Sequence, residues 1–262
     1  MEKNNKPSYF IDTHAHLDML KNMTPETAVK NSLAENVKYI INPGSSLEGS
    51  IKSCQYSNKF EAVYSSVGVH PHDAETFDKR TLSELEKLVK GNKKVIAIGE
   101  TGFDYYRNLS PKNDQENAFI SQIELALKYN LPVIVHDREA HSDTLKILKS
   151  CTGSLNAVIH CFSGSTDFAL KCLEMGFFIS FTGVITFPNA KELVQTVKEV
   201  PIERLFLETD APFLAPQERR GQENYPGFVK YIAAKIADIK GLSVDEVARI
   251  TSVSARKFFK LN

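Results

Sequence analysis

Short apolar runs recur along the chain, and each is followed by a glycine, a proline or a polar residue. Valine, isoleucine, leucine and phenylalanine dominate these runs, and their short length and β-branched content are typical of buried strands. The pattern predicts eight strands, over residues 9–17, 37–44, 62–70, 94–102, 131–138, 156–164, 176–183 and 204–212.

The segments between these runs space apolar residues at three and four, which is the pattern of a helix with one buried face. Several begin with a capping residue, such as Thr24 before Pro25, and several end at glycine or asparagine. Connecting helices are predicted over residues 24–36, 46–58, 81–91, 114–130, 142–151, 165–176 and 189–200. The tail, residues 227–259, is predicted to form two more helices.

Strands that alternate with helices predict a parallel sheet with right-handed crossovers. Eight such units in 262 residues match a (β/α)8 TIM barrel, for which about 250 residues are typical. A doubly wound open sheet is the alternative, but it more often has fewer strands and a glycine-rich phosphate loop, and no such loop motif is present in the sequence. We predict an α/β fold in which residues 1–262 form a single TIM-barrel domain.

The predicted strands carry histidines at their carboxyl ends, where TIM barrels place their active sites. Six of the seven histidines lie at or just past these ends, and the seventh, His141, follows the fifth strand. Two acidic residues also lie at the carboxyl ends of predicted strands, Glu100 on the fourth strand and Asp210 on the eighth. The strand-end residues are His14, His16, His70, His72, Glu100, His136, His160 and Asp210. Chance would scatter histidines over helices and loops as well, so we predict a shared site at the barrel mouth.

The first run, "YFIDTHAHLDM", alternates polar and apolar residues. An extended strand would direct four polar side chains to one face, namely Asp12, His14, His16 and Asp18. A divalent metal would satisfy such a row, because neutral imidazole binds the ion and carboxylates neutralise its charge. For this run alone, a polar strand end near a turn is the alternative.

The strand-end residues also have ordinary structural alternatives when each is considered singly. A histidine at a strand end can simply be a hydrogen-bonded polar residue. Glu100 could cap the helix that follows it, and Asp210 could form a turn. Burying all of them at one mouth without a metal would leave a large desolvation cost. The convergence therefore favours a metal centre.

We predict two divalent metal ions per subunit, held by His14, His16, Glu100, His136, His160 and Asp210. The first two histidines would hold one ion, His136 and His160 the second, and Glu100 would bridge the two ions. Asp210 would bind the first ion and orient, or take a proton from, the attacking water, so Glu100 and Asp210 are the predicted catalytic residues. Such ligands suit Zn²⁺, Mn²⁺, Fe²⁺ or Ni²⁺ and tolerate Mg²⁺.

Composition and charge narrow the class of protein. Lysine plus arginine and aspartate plus glutamate number 32 each, so the formal net charge is zero, which argues against a broad grip on duplex DNA. The first ten residues lack the apolar stretch of a signal peptide, and no run is long enough to span a membrane. Four scattered cysteines form no C-x-x-C pair, and Cys161 is expected to pack in the barrel. These features predict a cytoplasmic protein with no membrane association.

Six ordered motifs resemble those of the TatD-type metal-dependent hydrolases: "DTHAHLD", "GVHPHDA", "IGETGFDYYR", "VIVHDREAHSDTL", "HCFSGS" and "ETDAPFLAP". The resemblance implies a TIM barrel of the wider amidohydrolase group, a divalent metal site and deoxyribonuclease activity of the 3′–5′ exonuclease type. The family's metal ligands correspond to the six residues named above. Its substrate-facing positions correspond to His70 and Arg138.

Physical arguments for binding substrate apply to Arg138 and, more weakly, to several of its neighbours. Arg138 can offer a planar fork to a phosphate, with a surface salt bridge as the alternative. Ser163 and Gly164 could donate hydrogen bonds to a phosphate, and Tyr105 and Tyr106 could stack a base or simply pack.

The loop "RGQENYP", residues 220–226, departs from the family's common R-G-K-R-N-E-P. Glu223 replaces a basic residue and Tyr225 an acidic one. We expect this loop to border the barrel mouth, and its changes therefore bear on the choice of substrate.

The leading functional hypothesis is a phosphodiesterase that trims single-stranded or frayed DNA ends with a metal-activated water. The alternative enzyme hydrolyses another ester or amide, such as an aminoacyl-tRNA ester, a lactone or a cyclic amide, at the same two-metal site. A scaffold protein with a vestigial site is disfavoured because the ligand set is complete. We predict a monomer that needs no obligatory protein partner.

Overall fold

The computed structural model describes residues 8–261. Within them the chain forms eight strands, β1 (Phe10–Asp12), β2 (Val37–Asn42), β3 (Val63–Val67), β4 (Val95–Asp104), β5 (Val133–Arg138), β6 (Ala157–Ile159), β7 (Phe178–Phe181) and β8 (Leu205–Leu207). Residues 1–7, to which the prediction about a signal peptide mainly refers, lie outside the described part.

The strands form one parallel sheet in chain order, from β1 to β8. The sheet curls until its first and last strands meet. The Thr13 amide donates to the Leu207 carbonyl at 3.1 Å, and Ala15 and Ala211 form a parallel bridge just beyond. The predicted TIM barrel is therefore confirmed.

Nine helices of the described residues surround this barrel: α1 (Pro25–Ala34), α2 (Leu47–Lys59), α3 (Lys79–Gly91), α4 (Lys112–Tyr129), α5 (His141–Ser150), α6 (Thr166–Glu174), α7 (Lys191–Glu199), α8 (Val229–Lys240) and α9 (Val244–Phe259). The Thr24 side chain caps α1 as expected, with Pro25 in the first turn. Ser243 and Glu246 form a reciprocal capping box at the start of α9. None of the helices in residues 8–261 combines the length and apolar character that crossing a membrane requires.

The last helix closes the amino-terminal end of the barrel. Phe258 and Phe259 of α9 pack in one apolar cluster with side chains of the strands, including Ile11, Ile134 and Phe206. Phe259 is 1% exposed, and its ring lies 5.7 Å from that of Phe206. Because this end is sealed by apolar packing, polar side chains can gather only at the opposite, carboxyl end of the strands.

Six strands end earlier than the hydrophobic pattern predicts, and the difference is largest, five residues, for β1 at Asp12, β6 at Ile159 and β8 at Leu207. Beyond these points the chain leaves the ladder but stays tied to its neighbours. The Ala15 amide donates to the Ile41 carbonyl at 3.0 Å, and the His16 amide to the Ala211 carbonyl at 2.7 Å. The segment that carries the first two histidines is thus fixed from both sides.

Candidate metal centre

Glu100 lies at the centre of the barrel mouth, and its two carboxylate oxygens face different histidines. Oε2 lies 3.3 Å from His14 Nε2 and 3.7 Å from His16 Nε2. Oε1 lies 2.7 Å from His136 Nδ1 and 2.7 Å from His160 Nε2. The carboxylate therefore stands between two groups of imidazole nitrogens, as a bridging ligand would.

The first group contains His14, His16 and Asp210. The Nε2 atoms of the two histidines are 3.2 Å apart, and Asp210 Oδ1 lies 3.9 Å from the first and 3.6 Å from the second. Both imidazoles are buried, and their Nδ1 atoms have no hydrogen-bond partner within residues 8–261. The two Nε2 atoms converge beside the carboxylates of Glu100 and Asp210. Such a set of donors is well suited to share a cation, so this group fits a divalent metal.

The second group contains His136 and His160, whose facing nitrogens are 3.3 Å apart. His70 joins them, because its Nε2 lies 3.3 Å from Glu100 Oε1 and its ring centroid is 4.4 Å from that of His136. The ring nitrogens of His70 and His136, with a Glu100 oxygen, lie close enough together to hold one ion. His70, predicted to face substrate, could therefore also serve as a ligand here.

Burial and mutual contact change the pKa values in this cluster. Burial lowers the pKa of His16 to about 3 and that of His70 to about 4, so both imidazoles stay neutral, which is the form that binds metal. Burial raises the pKa of Asp210 to about 6. Burial alone would also raise the pKa of Glu100. The surrounding histidines, His160 first, outweigh burial and hold the pKa of this carboxyl well below the usual range.

Two buried carboxylates behind the histidines were not predicted from the sequence. Asp104 Oδ2 lies 3.2 Å from His136 Nε2 and 2.8 Å from His72 Nε2, while its Oδ1 accepts the Arg107 amide at 2.7 Å. Such a contact fixes the orientation and tautomer of an imidazole that binds metal through its other nitrogen. The available signal was its place in "IGETGFDYYR", four residues after Glu100 on β4.

The second of these carboxylates is Glu208. Its Oε1 lies 3.6 Å from His160 Nδ1 and also accepts the Cys161 amide, while Oε2 accepts the Thr13 hydroxyl at 3.4 Å. It stands two residues before Asp210 in "ETDAPFLAP". Cys161 lines the cavity wall instead of packing inside the barrel, and burial raises the pKa of its thiol well above the usual range, which disfavours a thiolate nucleophile.

The expectation that all four polar residues of "DTHAHLD" share one face is wrong. Asp12, the last residue of β1, accepts the Thr209 amide at 2.9 Å and the Thr209 hydroxyl at 2.6 Å. It therefore joins the ends of β1 and β8 and does not reach the metal cluster. Asp18 lies in the 3₁₀ turn Leu17–Met19 and has no ion pair with the cluster within residues 8–261. The alternation fails because the chain leaves the extended conformation after Asp12.

A cavity of ≈ 700 Å³ opens above the candidate metal-binding groups, and Arg138 and Ser163 are among its lining residues. Arg138 has no carboxylate partner among residues 8–261; its guanidinium lies 4.0 Å from the centre of the Tyr106 ring. Gly164 is buried, and a side chain there would collide with Phe168, so its place is in packing. Tyr105 also packs, with its hydroxyl donating to Asp143 at 2.7 Å.

The altered loop at residues 220–226 does not line this cavity. Glu223 accepts the amides of Lys21 and Asn22 at 2.6 and 2.9 Å. Asn224 is buried and donates to the Thr209 carbonyl at 2.8 Å. The loop therefore supports the segments that follow His16 and precede Asp210, and the expectation that it borders the mouth is wrong.

Comparison with known proteins agrees with this geometry. The TatD related DNase family matches residues 11–260. The chain is 39% identical over 254 residues to the uncharacterized metal-dependent hydrolase YabD of Bacillus subtilis, covering 96% of this chain and 99% of that one. It is 34% identical over 240 residues to the 3′-5′ ssDNA/RNA exonuclease TatD of Cronobacter sakazakii, covering 89% and 91%.

A solved structure extends the likeness to three dimensions. The crystal structure of YJJV, a TatD homologue from Escherichia coli, superposes with a TM-score of 0.90 at 28% identity and covers 97% of this chain and 98% of that one. The resemblance detected in the motifs is thus confirmed over nearly the whole length, and the chain belongs to the TatD family of metal-dependent hydrolases.

Proposed function

We propose that this protein binds two divalent metal ions and hydrolyses phosphodiester bonds at the end of a DNA single strand, in the 3′ to 5′ direction. The observation that carries the proposal is the position of Glu100, with one carboxylate oxygen toward each histidine group. A carboxylate between two nitrogen-rich groups is typical of two-metal hydrolases. The relatives named as metal-dependent hydrolases support metal-dependent hydrolysis, and the Cronobacter relative, named a 3′-5′ ssDNA/RNA exonuclease, supports the choice of a single-stranded nucleic acid.

We assign the donors to the two ions by the Glu100 oxygen that each histidine faces, although His160 also lies within reach of His14 and Asp210. His14, His16 and Asp210 would hold the first ion and His136 and His160 the second, with Glu100 shared and His70 available to the second ion. Two bound ions would activate a water molecule and neutralise charge on the phosphate that it attacks. Imidazole and carboxylate donors bind Zn²⁺, Mn²⁺, Fe²⁺ or Ni²⁺, and carboxylates together with water molecules also tolerate Mg²⁺.

Asp210 is the residue best placed to move a proton. Its Oδ1 lies beside the first histidine pair, and burial raises the pKa of this carboxyl to about 6, so that it is ionised at neutral pH yet basic enough to accept a proton from water. The water oxygen bonds to phosphorus, the bond from phosphorus to the 3′ oxygen of the preceding nucleotide breaks, and that oxygen takes up a proton. One water is consumed and one 5′-mononucleotide is released.

The surroundings of the site favour a strand end over a duplex. The cavity of ≈ 700 Å³ is large enough for a few nucleotide units but not for a double helix. The formal net charge of zero argues against a broad electrostatic grip on duplex phosphates. Arg138 lines the cavity, and its guanidinium, which has no carboxylate partner in the described part of the chain, can bind a phosphate.

The test is a gel assay on single-stranded DNA labelled at the 5′ end, with Mn²⁺ or Mg²⁺, comparing the wild type with Asp210→Asn. Asp18→Asn is the matched control, because it makes the same change in a carboxylate outside the cluster. We expect a metal-dependent ladder of shortened strands for the wild type and the control, and intact DNA for Asp210→Asn. A 3′ label should appear at once as mononucleotide.

Intact DNA with wild-type protein that binds two ions would refute the nuclease activity. The hydrolase chemistry would then be tested on aminoacyl esters, lactones and cyclic amides. Binding of a single ion would refute the two-metal assignment independently of the substrate.

A further inference from the structure

The cavity has two chemically different walls. An apolar wall, formed by Met19, Val184, Phe213 and Leu214, comes from the segments that follow β1, β7 and β8. An arginine wall, formed by Arg107 and Arg138, comes from the segment after β4 and from the end of β5. Asp104, Leu109 and Asp137 also line the cavity on this side. Because the strands follow chain order around the barrel, β4 lies opposite β8, and the two walls face each other across the mouth.

Phe213 is the largest side chain of the apolar wall and is 49% exposed. Its ring centroid lies 6.3 Å from that of His16, so it stands directly beside the first histidine pair. Its amide donates to the Asp210 carbonyl at 2.9 Å, and its carbonyl accepts the Asn224 side chain at 2.5 Å. About half of the ring surface is exposed to solvent, while the backbone amide and carbonyl of Phe213 are both held by hydrogen bonds. The ring is therefore a preformed surface for another planar ring.

The arginine wall is ready to receive anions. Ion pairs within residues 8–261 that do not involve histidine all use lysine, so neither arginine is neutralised by a carboxylate. The Tyr106 ring covers one face of the Arg138 guanidinium at 4.0 Å and leaves the N–H groups along its edge available. Those groups match the oxygens of a phosphate.

We propose that Phe213 stacks against the base of the terminal nucleotide while the arginine wall binds phosphates of the strand that remains. The assignment rests on the proposed exonuclease function and follows from the chemistry of the two products. Cleavage of the last phosphodiester releases one nucleotide, whereas only the remaining strand continues into further phosphates. Stacking would be tolerant of sequence, because every base has a π face.

The experiment compares two single strands that are identical except that the 3′-terminal nucleotide of one is abasic. The kcat/KM for removal of that nucleotide is measured with metal-loaded wild type, Phe213→Ala, Phe213→Leu and Phe213→Trp. We expect the wild type to prefer the strand with the terminal base by about 5- to 150-fold, the range for one base–aromatic stack. Phe213→Ala and Phe213→Leu should lose this preference, mainly through KM, and Phe213→Trp should keep it.

Leu33→Ala on α1 is the control, because Leu33 is exposed to a similar degree, 51%, and lies on a helix outside the cavity. Circular dichroism checks that each variant is folded. If Phe213→Ala retains the full wild-type preference, or if the wild type has none, the stacking role is overturned while the nuclease function stands. If metal-loaded wild type cleaves neither strand, the proposed nuclease function itself has failed, and the stacking role with it.

Discussion

Replacing Asp104 by asparagine should weaken one metal site and spare the other. The change keeps the size of the side chain but removes the charge that holds His136 Nε2 at 3.2 Å and His72 Nε2 at 2.8 Å. These hydrogen bonds, His136 first, together with the Arg107 amide, hold the pKa of Asp104 well below its ordinary value despite burial, so the ionised form is the one that binds them.

The expected loss of metal affinity follows from the hydrogen bond between Asp104 and His136, which is no longer made by a charged group in the variant. A hydrogen bond to a charged group contributes about 1.5–3 kcal/mol, and each 1.4 kcal/mol corresponds to about a tenfold change in affinity. The affinity of the second site, which contains His136, should therefore fall by about 10- to 100-fold, the range found for carboxylates behind metal-binding histidines. The first site, built on His14 and His16, should keep its affinity.

Isothermal titration of the metal-free protein with Mn²⁺ resolves the two sites, and elemental analysis after dialysis gives the occupancy. Asp143→Asn is the matched control, because Asp143 accepts the Tyr105 hydroxyl nearby without touching the cluster. An equal loss at both sites would contradict the division of the ligands between two ions. No loss at either site would contradict the orienting role of Asp104.

Three further predictions test other parts of the molecule. Glu100→Gln should reduce binding at both metal sites at once, measured by elemental analysis, and loss at only one site would show that Glu100 does not bridge. Burial alone would lower the pKa of His160, but Glu100 and Glu208 hold it well above its ordinary value, so the metal-free protein carries a proton there at neutral pH that a metal must displace. Affinity for metal should therefore fall by about tenfold per unit as the pH is lowered below neutral, with matching proton release in calorimetry, and a flat profile would contradict this. Phe259→Ala should lower the free energy of unfolding in urea by about 3–5 kcal/mol, whereas Val253→Ala on the exposed side of the same helix should change it by less than about 0.5 kcal/mol.

The barrel and most of its candidate metal-binding groups could be predicted because both depend on local pattern. Apolar runs and amphipathic segments alternate regularly, and a parallel barrel brings every strand end to the same mouth. Glu100, His136 and Asp210 were located by this rule alone. No knowledge of side-chain geometry was needed to bring them together.

The features that were missed depend on where the backbone leaves its regular path. Asp12 was placed with the histidines because alternation was extended beyond the true end of β1, and the structure turns it toward Thr209. Asp104 and Glu208 were signalled only by their places in the motifs "IGETGFDYYR" and "ETDAPFLAP", because the role of a carboxylate that orients an imidazole becomes visible only when its histidine partner is known. The loop that contains Glu223 was assigned to the mouth by its distance from Asp210 along the chain, but its hydrogen bonds turn it toward Lys21 and Asn22.

The seam between β1 and β8 has a consequence for the order of folding. Asp12 and Thr209, which join there, are 197 residues apart in the chain, whereas Glu100 and His160 are 60 apart. Closing the longer loop has the larger entropic cost, and during synthesis it must wait until β8 has left the ribosome. The contacts of Glu100 with His136 and His160 need only strands β4 to β6, whereas Glu208, which supports His160, and Asp210 take their places only when the ring of strands is complete. The ion that His14, His16 and Asp210 would hold could therefore bind only after the barrel has closed.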